Sequence, residues 1–376
     1  MERALAELIR HASDRIAFHV MSVGLQDDLR PLVAWSPVRL PGRPFPALMA
    51  SFWAATAVMA RRVDANVVHT MGAITPVHAD LASVQFCHAA FQALPGVAGG
   101  DTVALPRRAN NALTRLLALN AERWCYRPSR TRRFAPASLG VQSELARFYP
   151  DVPSTVIPNA ADHDRFRPDA DLRASVRTTL GVTADTTIVL FLGGDWGRKG
   201  LGVTIEGVAA ARRAGATNVE LWVVGSGDVP RYQAASKALD DSPWCTFHGF
   251  SREPQRFLAA ADVFVSATTY EAFPLAALEA AACGLPVVAT NVNGIAELIR
   301  DGKEGIIVAR DASSVTLAIT TLARDTALRQ SMGLAARESA ARYTWDAVAR
   351  TTLDTYDALL RSASSSAPLG YGGPRR

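Results

Sequence analysis

The chain has 376 residues, 49% of them hydrophobic and 20% charged, with 40 Lys and Arg against 35 Asp and Glu for a net charge of +5. That length holds two domains of ordinary size, each with its own core, and the composition excludes a disordered or fibrous chain. The basicity is lopsided, because residues 1–168 carry 19 Arg and 13 acidic residues, a net of +6, leaving −1 for the remainder.

Four cysteines, Cys87, Cys125, Cys245 and Cys283, stand far apart with no C-x-x-C pair. They read as reduced thiols of a cytoplasmic protein, with neither a disulfide framework nor a zinc site. Acidic residues at Glu2, Glu7 and Asp14 interrupt any signal-peptide pattern at the amino end.

In chain order, the apolar spacing predicts an amphipathic helix over 4–12 and a strand over 16–23. The longest uncharged run, Pro44 to Ala60, has 17 residues flanked by Arg43, Arg61 and Arg62. It is short for a membrane span and is expected as a core helix, with a membrane-dipping segment as the second reading. Strands follow at 66–69, ending in His69, and at 84–87, running into His88. A histidine at a strand end can bind a sugar hydroxyl or a phosphate, and a satisfied structural role is the bland alternative for each. A long helix is expected over 110–127, then a strand over 134–138 and a helix to Tyr149. Arg107, Arg108, Arg115, Arg123, Arg127, Arg130, Arg132 and Arg133 cluster here. They could meet an anionic membrane surface or an acidic acceptor, or simply form a solvated face. Nucleic acid is not expected, because no aromatic residues interleave at stacking intervals.

Beyond Pro168, continuous apolar runs predict buried parallel strands at 187–192, 220–224, 246–250 and 263–265. The first runs into G-G-D-W-G-R-K-G, where Gly193 and Gly194 let backbone approach a phosphate and Arg198 and Lys199 can neutralise it. The second runs into Gly225-Ser-Gly227. The stretch A-D-V-F-V-S-A-T-T-Y-E-A-F-P-L-A-A-L-E-A-A-A-C-G-L-P-V-V-A-T, 261–290, is one βαβ unit. Its helix is expected from Pro274 to Cys283, stopped by Gly284 and Pro286. Glu271 lies in the turn before that helix and Glu279 two turns in, at the end of the sheet where open α/β sheets bind ligands. The first-turn amides, Leu275 to Leu278, are expected as free donors at the positive end of the helix dipole. Asp162-His163-Asp164 matches the D-x-D string of metal-dependent transferases, but it sits within a hinge-like Pro158–Pro168 segment and is not read as a metal site.

The string from Glu271 to Thr290 resembles the E-x7-E signature of the retaining GT4 glycosyltransferases, which have the GT-B fold. The G-x-D-W-x-R-K-G loop is similar to that of lipopolysaccharide-core hexosyltransferases. T-V-I-P-N-A-A-D-H-D-R-F-R-P resembles the family's segment between its domains. Asn159 is expected to cap or turn it.

The resemblance implies an α/β chain of two Rossmann-like parallel-sheet domains facing a cleft. Residues 1–160 would form the acceptor-side domain, 161–345 the donor domain and 346–361 a helix crossing back to the first domain, with 362–376 a disordered tail. It also implies a strand and glycine-rich loop ahead of Met1, so upstream in-frame coding sequence is expected. Glu279 would hold the ribose hydroxyls of a nucleotide sugar. Glu271 and the Phe273 and Leu275 amides would meet the transferred sugar, and Phe250 would border the base. Gly193, Gly194 and Gly225 would line the donor, while Arg198 and Lys199 neutralise the leaving diphosphate. His88 would serve the acceptor side.

Two departures stand out. Pro274 and Gly194 occupy positions where many relatives carry Gly and Arg. The activity implied is metal-independent transfer of a hexose from a UDP- or GDP-sugar to a glycan or lipid-linked acceptor. A nucleotide-sugar epimerase and a non-catalytic scaffold are the alternatives.

Overall fold

The computed structural model describes residues 2–40, 45–94 and 105–365. The chain divides into two compact units. The first comprises Met1–Ala137, Val141–Pro158 and Trp345–Arg376, and the second Ser138–Gly140 and Asn159–Thr344.

In the first unit, β1 (Phe18–Ser22) pairs in parallel with β2 (Val33–Pro37). A separate parallel sheet is built from β3 (His69–Met71), β4 (Ala79–Val84) and β5 (Thr131–Pro136). The amphipathic helix Glu2–Ala12 buries Ala6 and Ile9 with Val20 and Leu29. Its polar face is fixed by Arg10, which pairs with Glu7 and Asp28.

The uncharged run forms the helix Phe45–Met59. It is not the buried core helix expected: Met49, Trp53 and Ala57 face Leu117 and Trp124 of the helix Leu105–Cys125 across an apolar groove of about 580 Å³, and Val58 is exposed. Among the described residues no helix is long and apolar enough to cross a membrane.

Part of the arginine cluster is held by internal contacts. Arg132 pairs with Asp80 at 2.9 Å, Arg133 donates to Thr155 Oγ1, and Arg130 stacks on Trp124 at 3.9 Å. The side chains of Arg107 and Arg108 lie outside the described residues.

His69 opens β3 instead of closing a strand, and its ring is consumed structurally. Nδ1 meets Tyr356 Oη at 2.6 Å and Nε2 meets Ser83 Oγ at 2.8 Å, while burial pulls its pKa down to about 4. The neutral ring therefore ties the sheet to the helix Trp345–Ser365. That helix runs into the expected tail, where Ser362 accepts from Arg132; residues 366–376 lie outside the described residues.

The second unit is one six-stranded parallel sheet of β6 (Thr187–Leu192), β7 (Val219–Val224), β8 (Cys245–Gly249), β9 (Val263–Ser266), β10 (Val287–Thr290) and β11 (Gly305–Val308). The order β11-β10-β9-β6-β7-β8 is doubly wound, with the direction of winding reversing between β6 and β9. Helices cover both faces, which is why β6 and β9 read as unbroken apolar runs.

Asp262, just ahead of β9, locks the start of this switch point. Its carboxylate accepts the Ile188 amide at 2.7 Å, Arg173 at 2.6 Å and Arg177 at 3.2 Å. Arg177, only 8% exposed, also donates to the carbonyls of Ala260, Thr183 and Thr186. Removing the carboxylate leaves a buried guanidinium without its counter-charge, at a cost of about 3–5 kcal/mol. Asp262→Ala is accordingly expected to lower the urea midpoint of the protein by an amount matching that loss, whereas Asp346→Ala, on an exposed carboxylate, should leave it within error.

Candidate donor site at the sheet switch point

At the carboxyl end of β6 the chain passes through Gly193, with φ 141°, into Gly194 and Asp195, then makes one helical turn, Trp196–Lys199, before Gly200. The neighbouring strand β7 ends at Gly225, with φ 137°. These two glycines face each other so closely that a Cβ on Gly225 would lie 2.1 Å from the Gly193 carbonyl oxygen. A Cβ on Gly193 would meet the Lys199 side chain at 3.0 Å. Hydrogen bonds carry the ladder past the strand ends, from the Gly193 amide to Val224 and from the Gly225 amide to Gly249. The Trp196 indole donates to the Gly193 carbonyl at 2.9 Å, pinning the loop from its buried side.

Asp195 adopts φ 51°, a left-handed conformation that costs a non-glycine residue of order 1 kcal/mol. Its carboxylate then reaches Arg198 Nε at 2.7 Å. The same guanidinium donates to the Tyr270 carbonyl at 2.5 Å and to Glu271 at 3.1 Å. Lys199 Nζ meets the same Glu271 oxygen at 2.7 Å. One carboxylate from the loop after β9 thus gathers both cations from the loop after β6, all three being largely but not wholly buried. Burial disfavours the Arg198 charge, but Glu271 and Asp195 outweigh it and its pKa is raised.

Arg310 adds a second stitch between the loops, donating to the carbonyls of Gly197 and Ala267. Gly200, at φ 79°, has no room for a Cβ, which would fall 2.1 Å from the Ala267 carbonyl.

The signature helix runs Leu275–Ala282, one residue shorter at each end than expected, with Pro274 at its N-cap and Gly284 left-handed after it. Four free amides were expected in its first turn. The Pro274 carbonyl, however, accepts both Ala277 and Leu278 at 3.1 Å, so Leu275 and Ala276 remain as the available donors. Proline has no amide of its own, but its carbonyl closes the turn. Glu279 is buried at 4% exposure on the helix face turned inward. The Phe273 ring is core, packed on Tyr343 at 5.0 Å. Asn159, expected as a local cap, is itself buried and donates to the Phe273 carbonyl at 3.2 Å, holding the turn after Glu271 from outside. Phe250 follows β8 with 71% of its surface exposed.

Other residues of interest prove structural. Asp162 Oδ1 accepts the amides of Asp164 and Arg165, and His163 meets the Tyr343 carbonyl, which makes the D-x-D string a turn. Glu297 accepts the Leu139 amide at 2.9 Å. All four cysteines are free, and burial pushes their thiols up to about 12.

Arg198, Lys199 and Glu271 therefore converge in the second unit with Gly193, Gly194 and Gly225 beside them, and His88 belongs to the first unit. His88 opens the short helix His88–Gln92. Its ring packs on Phe86 at 4.6 Å, and burial lowers its pKa.

Residues 186–325 match the family model for glycosyl transferases group 1. Over 234 residues the chain is 32% identical to a D-inositol 3-phosphate glycosyltransferase from Corynebacterium jeikeium, an alignment covering 59% of this chain and 54% of that protein. The chain spans about half the length of the curated relatives it matches. Among solved structures, WaaG, a glycosyltransferase involved in lipopolysaccharide biosynthesis, aligns with a TM-score of 0.78 at 20% identity over 94% of this chain and 95% of that one. Anabaena Alr3699/HepE in complex with UDP and glucose aligns with a TM-score of 0.68 at 18% identity over 95% of each chain. The fold is thus the GT-B glycosyltransferase fold, and its second unit carries a glycosyl transferases group 1 domain.

Proposed function

We propose that the protein is a retaining glycosyltransferase of the GT4 type, moving a hexose from a nucleotide diphosphate sugar to a glycan or lipid-linked acceptor in the building of a cell envelope or exopolysaccharide. The observation that carries this reading is the shared contact of Arg198 and Lys199 with Glu271 where the winding of the sheet reverses. Two cations in a partly buried pocket are a seat for the diphosphate, with the Leu275 and Ala276 amides as further donors. Glu271 and Glu279 are acceptors suited to sugar hydroxyls, and Phe250, exposed after β8, is assigned to the base.

In the reaction the bond between the anomeric carbon and the β-phosphate oxygen breaks, and the negative charge that grows on that oxygen is met by Arg198, Lys199 and the helix amides. Glu271 holds the two cations in place before donor arrives and then turns to the sugar hydroxyls as the diphosphate takes over the charge pairing. The cations do the work a metal ion would otherwise do at the leaving group, so no metal is required. The acceptor hydroxyl attacks the same face of the sugar that the nucleotide leaves, and its proton passes to the departing phosphate oxygen. His88, neutral at physiological pH, lies on the acceptor side.

A UDP-sugar is the favoured donor and GDP-mannose the second, the former supported by the UDP and glucose bound in the HepE structure. We further propose a cytoplasmic protein in peripheral contact with an anionic membrane. This is supported by the net charge of +6 on residues 1–168 and by the apolar groove beside Trp124 and Arg130.

The test is to incubate the protein with UDP-, GDP- and ADP-sugars while recording its melting temperature and the released sugar by NMR. At ligand a hundredfold above Kd, one donor should stabilise the fold by about 2.7 kcal/mol. The same donor should be hydrolysed slowly, with the α-anomer released first. Inversion at a sugar carbon with the glycosidic bond intact would favour an epimerase. Binding without turnover would favour a scaffold, and no binding by any donor would refute the site.

Lys199→Ala is expected to reduce kcat/KM for that donor by about 10²–10³, the loss typical of a removed transition-state donor. Gly225→Ala should abolish donor stabilisation altogether, because its Cβ displaces the Gly193 carbonyl at the phosphate seat. An unchanged melting shift for this variant would separate the glycine pair from the site.

A further inference from the structure

Among the described residues of the first unit, Glu122 is the one carboxylate that is buried, at 1% exposure, without a cationic partner in the contacts described for it. It sits near the end of the helix Leu105–Cys125, 34 residues beyond His88 in sequence. One of its oxygens accepts the His88 amide at 2.7 Å, and the other accepts the Ala89 amide at 3.1 Å and the Tyr149 hydroxyl at 3.2 Å. His88–Gln92 is a helix of five residues whose Cys87 N-cap makes no side-chain cap bond. So short a helix holds itself poorly, and Glu122 supplies the cap from another element. Other helices of the chain are capped locally by Asp169, Asp228, Asp311 and Asp325; here the cap is a carboxylate from a distant helix, buried at a desolvation cost.

We propose that Glu122 is a positioning residue for the acceptor side: its ionised carboxylate aims His88 by holding the two amides that open the helix bearing it. The inference rests on the proposed acceptor-side role of His88. A proton on the oxygen shared by Ala89 and Tyr149 would turn that atom into a donor toward the Tyr149 oxygen and leave the Ala89 amide facing a hydroxyl oxygen, a weaker acceptor than a carboxylate. The turn would then hang chiefly on the His88 amide.

The surroundings make that protonation reachable. Burial pushes the carboxyl up to about 7, with the charge of Glu144 adding to the rise and the three hydrogen bonds only partly offsetting it. The other groups facing it are Cys87 and His88 from the short helix, Cys125 and Tyr126 at the end of its own helix, and Glu144 and Tyr149 from the helix Leu139–Phe148 and the residue after it. The cysteines and tyrosines are shifted upward by burial and stay neutral, and the pKa of His88 is lowered. Glu122 is the group in this set whose pKa burial raises to about 7. Because the ionised form is the functional one, turnover should be lost as pH falls through its pKa.

The test compares wild type with Glu122→Gln, which offers one acceptor and presents a donor to the other amide. In wild type, kcat for donor turnover should fall as pH drops through about 7 and level off about tenfold lower, where the carboxyl is neutral. In Glu122→Gln, kcat should be lowered about tenfold at pH 8 with no such limb, and KM for donor should stay within twofold, since the donor groups lie in the other unit. His88→Ala should remove the difference between the two backgrounds. A variant that keeps the wild-type limb, or one that loses donor KM along with kcat, would overturn the proposal.

Amide NMR gives a reading that needs no activity. The His88 and Ala89 amide signals should titrate with a midpoint near 7 in wild type and not in Glu122→Gln, with the rest of the spectrum unchanged. Flat signals in wild type would overturn the proposal even if the enzyme is active, whereas titrating signals in a protein that turns over no donor would count against the transferase reading and not against the Glu122 contact.

Discussion

The pairing of β6 with β9 is the constraint on which the candidate site depends. Two parallel strands leave the middle of the sheet in the same direction, and the helices that follow them pass to opposite faces, so the loops between are forced to face one another. The charged cluster of the site comes from those two loops. Arg198 and Lys199 follow β6, Glu271 follows β9, and the charges meet because the strands do. Asp262 fixes the opposite end of the same pair, so the register that aligns Val189 with Val263 is held at both ends.

Close approach is the second requirement. Gly193 and Gly225 bring two backbones within a distance that no side chain could share, and Gly200 does the same against Ala267. A diphosphate is bulky and highly charged, and a protein that is to surround it with backbone amides must first remove side chains from the strand ends. The strained Asp195 belongs to the same arrangement, since its left-handed turn carries the carboxylate that steadies Arg198. Three anionic or carbonyl partners on one guanidinium leave it little rotameric freedom, which is what a group that meets developing charge requires.

Much of this was legible in the sequence. A continuous apolar run located β6 to the residue, because a strand buried on both faces has no other pattern. The stop at Gly284 and the glycines at 193, 194 and 225 were visible because each residue type has one physical use there. What escaped the reading was contact between distant residues. Asn159 looked like a local cap, but its amide reaches the Phe273 carbonyl 114 residues away. His69, for which the sequence left a satisfied structural role or a ligand role open, has the structural one, but its partners Tyr356 and Ser83 could not be named from sequence. The first-turn amides were counted as free because the first amides of a helix lack intrahelical acceptors, and the Pro274 carbonyl went unconsidered. Glu122 carried no local signal at all, since a lone Glu late in a long helix is ordinarily a solvated one. The uncharged helix Phe45–Met59 was read by hydropathy alone, which cannot distinguish a core helix from one lining an apolar groove.

The most direct measurement of the central claim is a crystal structure of the protein with an intact, slowly hydrolysed UDP-hexose analogue. The β-phosphate is expected within hydrogen-bond distance of Arg198 and Lys199, the hexose hydroxyls on Glu271 and the ribose on Glu279. A nucleotide bound elsewhere, with Arg198 and Lys199 still closed on Glu271, would contradict the assignment of this switch point as the donor site.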